Sequence, residues 1–155
     1  MIRDVMVVVQ TMVFWISLAW VSLIDLKQRT IPNEVLAVAL VVRLVCGMAL
    51  DVGQLPEAVL AGVLAALPPL LVALVTGRKS GAPGLGGGDV KLLFVLGTYL
   101  GWWRSMLALC IACVAGVIYC VVRRKRGLQE SGRLGAEGFP LAPFLSLGCV
   151  IVALH

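Results

Sequence analysis

Residues 5–24 read VMVVVQTMVFWISLAWVSLI, twenty positions without an acidic or basic side chain. A helix rising 1.5 Å per residue crosses a bilayer core of about 30 Å with about 20 apolar residues, so this stretch alone is long enough to span a membrane. The polar break after it, Asp25-Leu-Lys-Gln-Arg-Thr-Ile-Pro-Asn33, gives way to a second apolar run. No small-residue cleavage site separates run from break, so the stretch reads as a retained first helix and not as a removable signal. Working outward, apolar runs bounded by Gly, Pro or charge predict helices at about 5–24, 34–50, 55–76, 90–103, 104–122 and 139–154.

Composition agrees with that reading. Of 155 residues, 61% are hydrophobic and 14% charged, and the mean hydropathy is +1.03. Soluble domains carry nearer 25% charged residues. The expected fold class is therefore all-α, a polytopic membrane protein of about six transmembrane helices forming one transmembrane domain over residues 1–155. The net charge of +5 raises the question of nucleic acid. However, the basic residues are dispersed between apolar segments and make no aromatic-interleaved basic face, which argues against a nucleic-acid partner.

Topology accounts for that charge better. Arg and Lys favour cytoplasmic loops. In the six-helix reading, one side holds Lys27, Arg29, Arg78, Lys79, Lys91, Arg123, Arg124, Lys125, Arg126 and Arg133, and the other only Arg3 and Arg104. Ten against two places the first side in the cytoplasm and both termini in the periplasm, with the inner membrane as the expected location. Arg43 falls inside the second helix, where a charge is either functional or a side chain snorkelling to the outer interface.

Two helices are short. From Asp89 to Arg104 there is room for about 15 residues, or roughly 22 Å of helix. The preceding Ser80-Gly-Ala-Pro-Gly-Leu-Gly-Gly-Gly88 reads as irregular backbone. At membrane depth such backbone must be buried in protein or line a watery cavity, so a wet cytoplasmic cleft is expected. Pro68-Pro69 should kink the third helix, while Gly97, Gly101, Ala108, Ala112 and Gly116 permit close helix approach. The five cysteines, Cys46, Cys110, Cys113, Cys120 and Cys149, all lie in apolar segments and read as small buried hydrophobes. They imply neither a disulfide framework nor a metal site, and no cofactor is expected.

The acids are few on the cytoplasmic side, and two stand at helix ends. Asp25 closes the first helix and Asp89 opens the fourth, so a bundle can bring them to one depth. Two such carboxylates meet the needs of an aspartic protease. One is ionised and takes a proton from the attacking water; the other is protonated and polarises the scissile carbonyl. Plainer roles are equally available to each residue alone. Asp89 is a favoured type for an N-cap, Asp25 can be an interfacial charge, and Pro32 can simply start the second helix. The run Gly86-Gly87-Gly88 beside an acid goes further than a cap requires, and suggests backbone that approaches something closely.

At these residues the chain resembles the type IV prepilin peptidases, a branch of the GxGD aspartic proteases. The resemblance rests on Asp25 followed by Ile31-Pro32-Asn33, on Gly86-Gly87-Gly88-Asp89 with Val90-Lys91-Leu92, and on Phe139-Pro140-Leu141-Ala142-Pro143-Phe144 at the start of the last helix. It implies that Asp25 and Asp89 are the catalytic pair. Gly86, Gly88, Lys91, Ile31, Pro32, Asn33, Pro140 and Pro143 would shape the site or position substrate. It further implies removal of the short basic leader from prepilins or pseudopilins at the cytoplasmic membrane face. A prepilin keeps its apolar helix in the bilayer and its leader in the cytoplasm, so the bond between them lies at the depth expected for both aspartates. Larger members carry a long loop with paired CxxC motifs after the first helix, together with N-methyltransferase activity. This chain has neither loop nor paired motifs, and its size is similar to that of the compact peptidases of tight-adherence pili.

Two other classes of function fit the composition. A small transporter or channel subunit would use Asp25, Asp89 and Arg43 as an ion or proton path. A structural subunit of a pilus or secretion machine would use the acids only as caps, and would tolerate Asp→Asn.

Overall fold

The computed structural model describes residues 2–28, 31–80, 87–125 and 141–154. They form six α-helices: α1 (Ile2–Gln28), α2 (Asn33–Leu50), α3 (Leu55–Ser80), α4 (Gly87–Leu100), α5 (Trp102–Lys125) and α6 (Ala142–Ala153). A single 3-10 turn, Val52–Gln54, joins α2 to α3, with the Asp51 carboxylate accepting from the Gly53 amide at 3.0 Å. All six predicted helices are present. Their ends differ by several residues: α1 runs four residues past the predicted end and α4 begins three residues early. Gly87 and Gly88, read from sequence as irregular backbone, are thus the first turn of α4. The Gly86 position and the Phe139-Pro140 half of the last motif lie outside the described residues.

Four helices are long and apolar enough to cross a membrane, namely those covering Arg3–Gln28, Asn33–Leu50, Val52–Val75 and Trp102–Tyr119. Their outward faces are apolar: Met12, Ile16, Trp20 and Leu23 on α1 and Val114, Val117 and Ile118 on α5 are all exposed. A surface of that kind is unfavourable in water and neutral in lipid, so the chain is a multi-pass membrane protein. The short helices are confirmed, with 14 residues in α4 and 12 in α6. At 1.5 Å per residue they reach only about 21 and 18 Å, less than the hydrocarbon thickness.

α4 is the centre of the bundle. Leu92, Leu93, Val95, Leu96, Gly97 and Thr98 are buried on consecutive faces, as expected of a helix that is apolar all round. They share one core with Phe14, Leu18 and Val21 of α1, Leu36 and Ala39 of α2, Ala108 and Ala112 of α5, and Leu145 and Cys149 of α6. α4 packs against α3, α2 and α5, whereas α1 lies between α2 and α6. Without a hydrophobic force between helices in lipid, close backbone approach supplies the cohesion. A Cβ on Gly97 would stand 2.6 Å from the Gly62 Cα and 2.7 Å from the Ala61 carbonyl oxygen, and one on Gly148 would stand 2.5 Å from the Ala108 carbonyl oxygen. Of the small residues flagged in the sequence, Gly97 and Ala108 thus stand at the α3–α4 and α5–α6 contacts. Gly101 has a different role from the packing one expected of it. Its φ of +83° makes the one-residue turn between α4 and α5.

The obstruction at Gly97 is backbone, which cannot swing aside. Gly97→Ala should lower stability by about 1–3 kcal/mol, read as a lower unfolding midpoint of the purified protein in detergent. α3 runs through Pro68 and Pro69 as one helix. The cysteines divide: Cys149 is buried, Cys46 is partly covered, and Cys110 and Cys113 face outward. The expectation that all are buried is corrected, because α5 turns the latter two toward lipid.

Candidate active site

Asp25 lies in the last turn of α1, and only 5% of its surface is exposed. A buried carboxylate needs hydrogen-bond donors in place of water. One comes from the start of α6, where the Ala142 amide donates to Asp25 Oδ2 at 3.1 Å. The local sequence of α6 makes that amide available. The first four N–H groups of a helix have no partner within it. Pro143, in the first turn of α6, has none to satisfy, and its φ suits the position. The Ala142 amide next to it is directed out of the helix at the carboxylate. Ser22, one turn before Asp25, completes the joint: its hydroxyl donates to the Leu18 carbonyl at 2.8 Å and lies 3.4 Å from the Ala142 carbonyl oxygen. The first and third motifs thus meet through Asp25 and Ala142. Sequence reasoning missed Ala142 and Ser22 as its partners. The one available signal was that both segments fell at the same predicted depth.

The Ile31-Pro32-Asn33 part of the first motif interlocks with the glycine motif in a similar way. Pro32 is the N-cap residue of α2, with φ −68° and ψ 118°, so it precedes the helix instead of occupying its first turn. Asn33, the first residue of α2, accepts a hydrogen bond from Lys91 Nζ at 3.0 Å. Ile31 packs on Gly88: a Cβ on that glycine would sit 2.9 Å from the Ile31 Cβ and 3.2 Å from its Cδ1. Gly87, by contrast, has nothing within 4 Å of such an atom. Of the described glycines before Asp89, the packing requires Gly88.

Asp89 follows in the first turn of α4 and is half-buried. A helix start, with its free amides and positive dipole end, is a favourable place for a carboxylate. Asp25 precedes Ile31 by six residues and Asp89 follows Gly88 directly, so both acids stand at one end of the bundle. Toward the other end of α4, Tyr99 stacks on Phe14 of α1 with ring centroids 4.6 Å apart. Eleven residues separate Phe14 from Asp25 and ten separate Asp89 from Tyr99, or about 16 and 15 Å of helix. Measured along each helix from that stack, the two acids stand at similar distances.

A groove of about 450 Å³ opens beside this end between α2, α3 and α4, lined by Leu36, Leu40, Ala66, Val90, Phe94 and Val95 with Asn33 and Lys91 at its polar rim. The wet cleft expected beside Ser80–Gly88 falls mostly on residues 81–86, which lie outside the described residues. A larger hollow of about 570 Å³, lined in part by Gln10, Phe14 and Tyr99, lies at the opposite end, away from both aspartates. Among the described residues, no group of three or more His, Cys, Asp or Glu side chains comes together.

Comparison with known proteins bears on this arrangement directly. The profile of the type IV leader peptidase family matches residues 12–121, which hold both aspartates and the motifs around them. The chain belongs to the type IV leader peptidase family. Among curated members, the prepilin leader peptidase/N-methyltransferase of Pseudomonas putida is 29% identical over 138 residues, covering 89% of this chain and 46% of that protein. The one from Pectobacterium carotovorum is 27% identical over 129 residues, covering 83% and 45%. A third, from Burkholderia pseudomallei, is 40% identical over 68 residues, covering 44% of this chain and 21% of its own length. The chain thus spans less than half the length of these leader peptidases. No solved structure matches it. In this family member, only residues 29–32 lie between α1 and α2, so nothing at that position corresponds to a long loop.

Proposed function

We propose that the chain is a membrane-embedded aspartic endopeptidase that removes the leader from type IV prepilins or pseudopilins, with Asp25 and Asp89 as the catalytic pair. The observation that carries the reading is the buried Asp25 carboxylate, held by a helix-start amide, in a member of the leader peptidase family. One carboxylate takes a proton from water, whose oxygen attacks the scissile carbonyl carbon while the other carboxyl group hydrogen-bonds the carbonyl oxygen. Collapse of the tetrahedral species breaks the C–N bond, and the leaving nitrogen takes a proton from the pair. Gly88 and Ile31 set the distance between α4 and the α1–α2 connection. Lys91 and Asn33 hold the rim of the adjoining groove. Gly86, Pro140 and Pro143 belong to the same segments and complete the assignment.

The positive-inside count supports a site facing the cytoplasm across the inner membrane. A cysteine introduced at Gln28 should then label from the cytoplasm and one at Gly53 from the periplasm only. The reverse pattern would put the acids on the wrong side for a prepilin leader.

The deciding experiment is co-expression with a candidate prepilin. The pilin should lose the mass of its leader only when the enzyme is present, without added S-adenosylmethionine. Because α1 and α2 are so closely joined, the new N-terminus should stay unmethylated. An enzyme-dependent gain of one methyl group would show that the N-methyltransferase function of the larger relatives is retained. An unprocessed pilin, in membranes where the enzyme is inserted, would refute the peptidase reading. An ion path through Asp25, Asp89 and Arg43 finds less support, since Arg43 bonds to Thr98 and Gln10, away from the aspartate end.

A further inference from the structure

Arg43 is a charged side chain on α2 with an inward orientation that snorkelling does not explain. Its Nε donates to the Thr98 carbonyl of α4 at 2.9 Å, and its terminal nitrogen donates to Gln10 Oε1 of α1 at 3.3 Å. The guanidinium lies 5.7 Å from the centroid of the Tyr99 ring, within the range of a cation–π contact. Tyr99 itself donates to the Ala39 carbonyl of α2 at 2.7 Å. Thr98 is two residues from the end of α4, where carbonyls lack helical partners and the dipole end is negative, so a cation there is well placed. The helices that Arg43 joins are the two carrying Asp25 and Asp89.

We propose that Arg43 is a positioning residue that fixes the stagger of α1 against α4 from the far end of the bundle, and thereby the relative position of the two aspartates. The mechanical argument rests on rigidity. Thr98 is nine residues from Asp89, about 14 Å of continuous helix, so a slip at Thr98 along the helix axis is delivered to Asp89 nearly undiminished. Arg43 is also suited to the task chemically. Its planar, forked guanidinium reaches two acceptors on different helices at once, whereas a lysine ammonium makes a less directional substitute.

This inference rests on the peptidase reading for its kinetic consequence, and the test separates the two. Arg43→Gln, Arg43→Lys and Gln10→Leu variants of the full chain would be reconstituted in lipid nanodiscs and assayed on a prepilin. Rates would be normalised to the folded fraction. Arg43→Gln should lower kcat by about tenfold or more, because small misplacement of reacting groups is expensive, with KM within about twofold of the parent. Arg43→Lys should recover part of that loss, and Gln10→Leu should fall in the same direction by less. A second measurement needs no activity. With the five cysteines replaced by alanine, spin labels at Gln28 and Gly87 report the distance between the end of α1 and the start of α4. Arg43→Gln should shift or broaden that distribution, and Arg43→Lys should restore it in part. An unchanged distribution, or a kcat that falls only with the folded fraction, overturns the proposal. If the parent protein cleaves no prepilin, the peptidase reading fails and the distance measurement still judges the clamp.

Discussion

Asp25→Asn and Asp89→Asn should each reduce leader removal by about 10³-fold or more, since each deletes one partner of a proton-transfer pair whose contribution is multiplicative. The substitution is nearly isosteric. In Asp25→Asn the amide oxygen can still accept from the Ala142 N–H that now donates to the carboxylate at 3.1 Å. In Asp89→Asn the side chain keeps its size and a hydrogen-bonding oxygen in the first turn of α4. Both proteins should therefore insert and fold. The measurement is the fraction of co-expressed prepilin processed per unit of membrane-inserted enzyme. Activity near that of the parent in either variant would remove the aspartic mechanism and leave that residue a structural role. The structural-subunit alternative makes the opposite forecast, tolerance of both changes, so the same experiment decides between them.

The second large effect is steric and concerns Gly88. Its missing Cβ would stand 2.9 Å from the branched carbon of Ile31, close enough that α4 or the α1–α2 connection must move. Gly88→Ala should cost about 1–3 kcal/mol of correct packing. Expressed as catalytic rate, that corresponds to a loss of between about fivefold and 160-fold. Gly87→Ala, one residue earlier, meets nothing within 4 Å and should process prepilin at close to the parent rate. The contrast between neighbours distinguishes a packing requirement from a general need for flexible glycine. Combining Gly88→Ala with Ile31→Ala frees the space, so the double variant should regain part of the lost rate. A double-mutant cycle measures that coupling. Strictly additive losses would show that Gly88 serves something other than its contact with Ile31.

Much of the architecture was legible because lipid imposes a strong and simple constraint on sequence. In hydrocarbon every backbone polar group must be satisfied internally, so long apolar runs have few options besides helices. That is why residues 5–24 announced α1, and why all six helices were found. Helix ends were less legible. The chain enters and leaves the membrane through polar residues that can belong to either helix or loop. α1 extends to Gln28 through Lys27, and α4 begins at Gly87 despite two glycines with poor helix propensity. α4 draws its stability from being buried among α2, α3 and α5, a contribution that no local propensity records.

Sequence alone determined the membrane environment, the helix count, the two helix-end aspartates and the order of the motifs around them. These follow from composition, from periods of about 20 apolar residues, and from residue types that carry chemistry wherever they stand. Tertiary structure decided which motif touches which. Ala142 answers Asp25 across 117 positions of chain, Lys91 answers Asn33 across 58, and Arg43 answers Thr98 across 55. For the first and last of these the reason is physical: a hydrogen bond to a backbone amide or carbonyl leaves no mark on the residue type that supplies it. Ala142 and Thr98 contribute main-chain groups that any residue would offer, so only the packing of α6 and α4 against their neighbours could single them out.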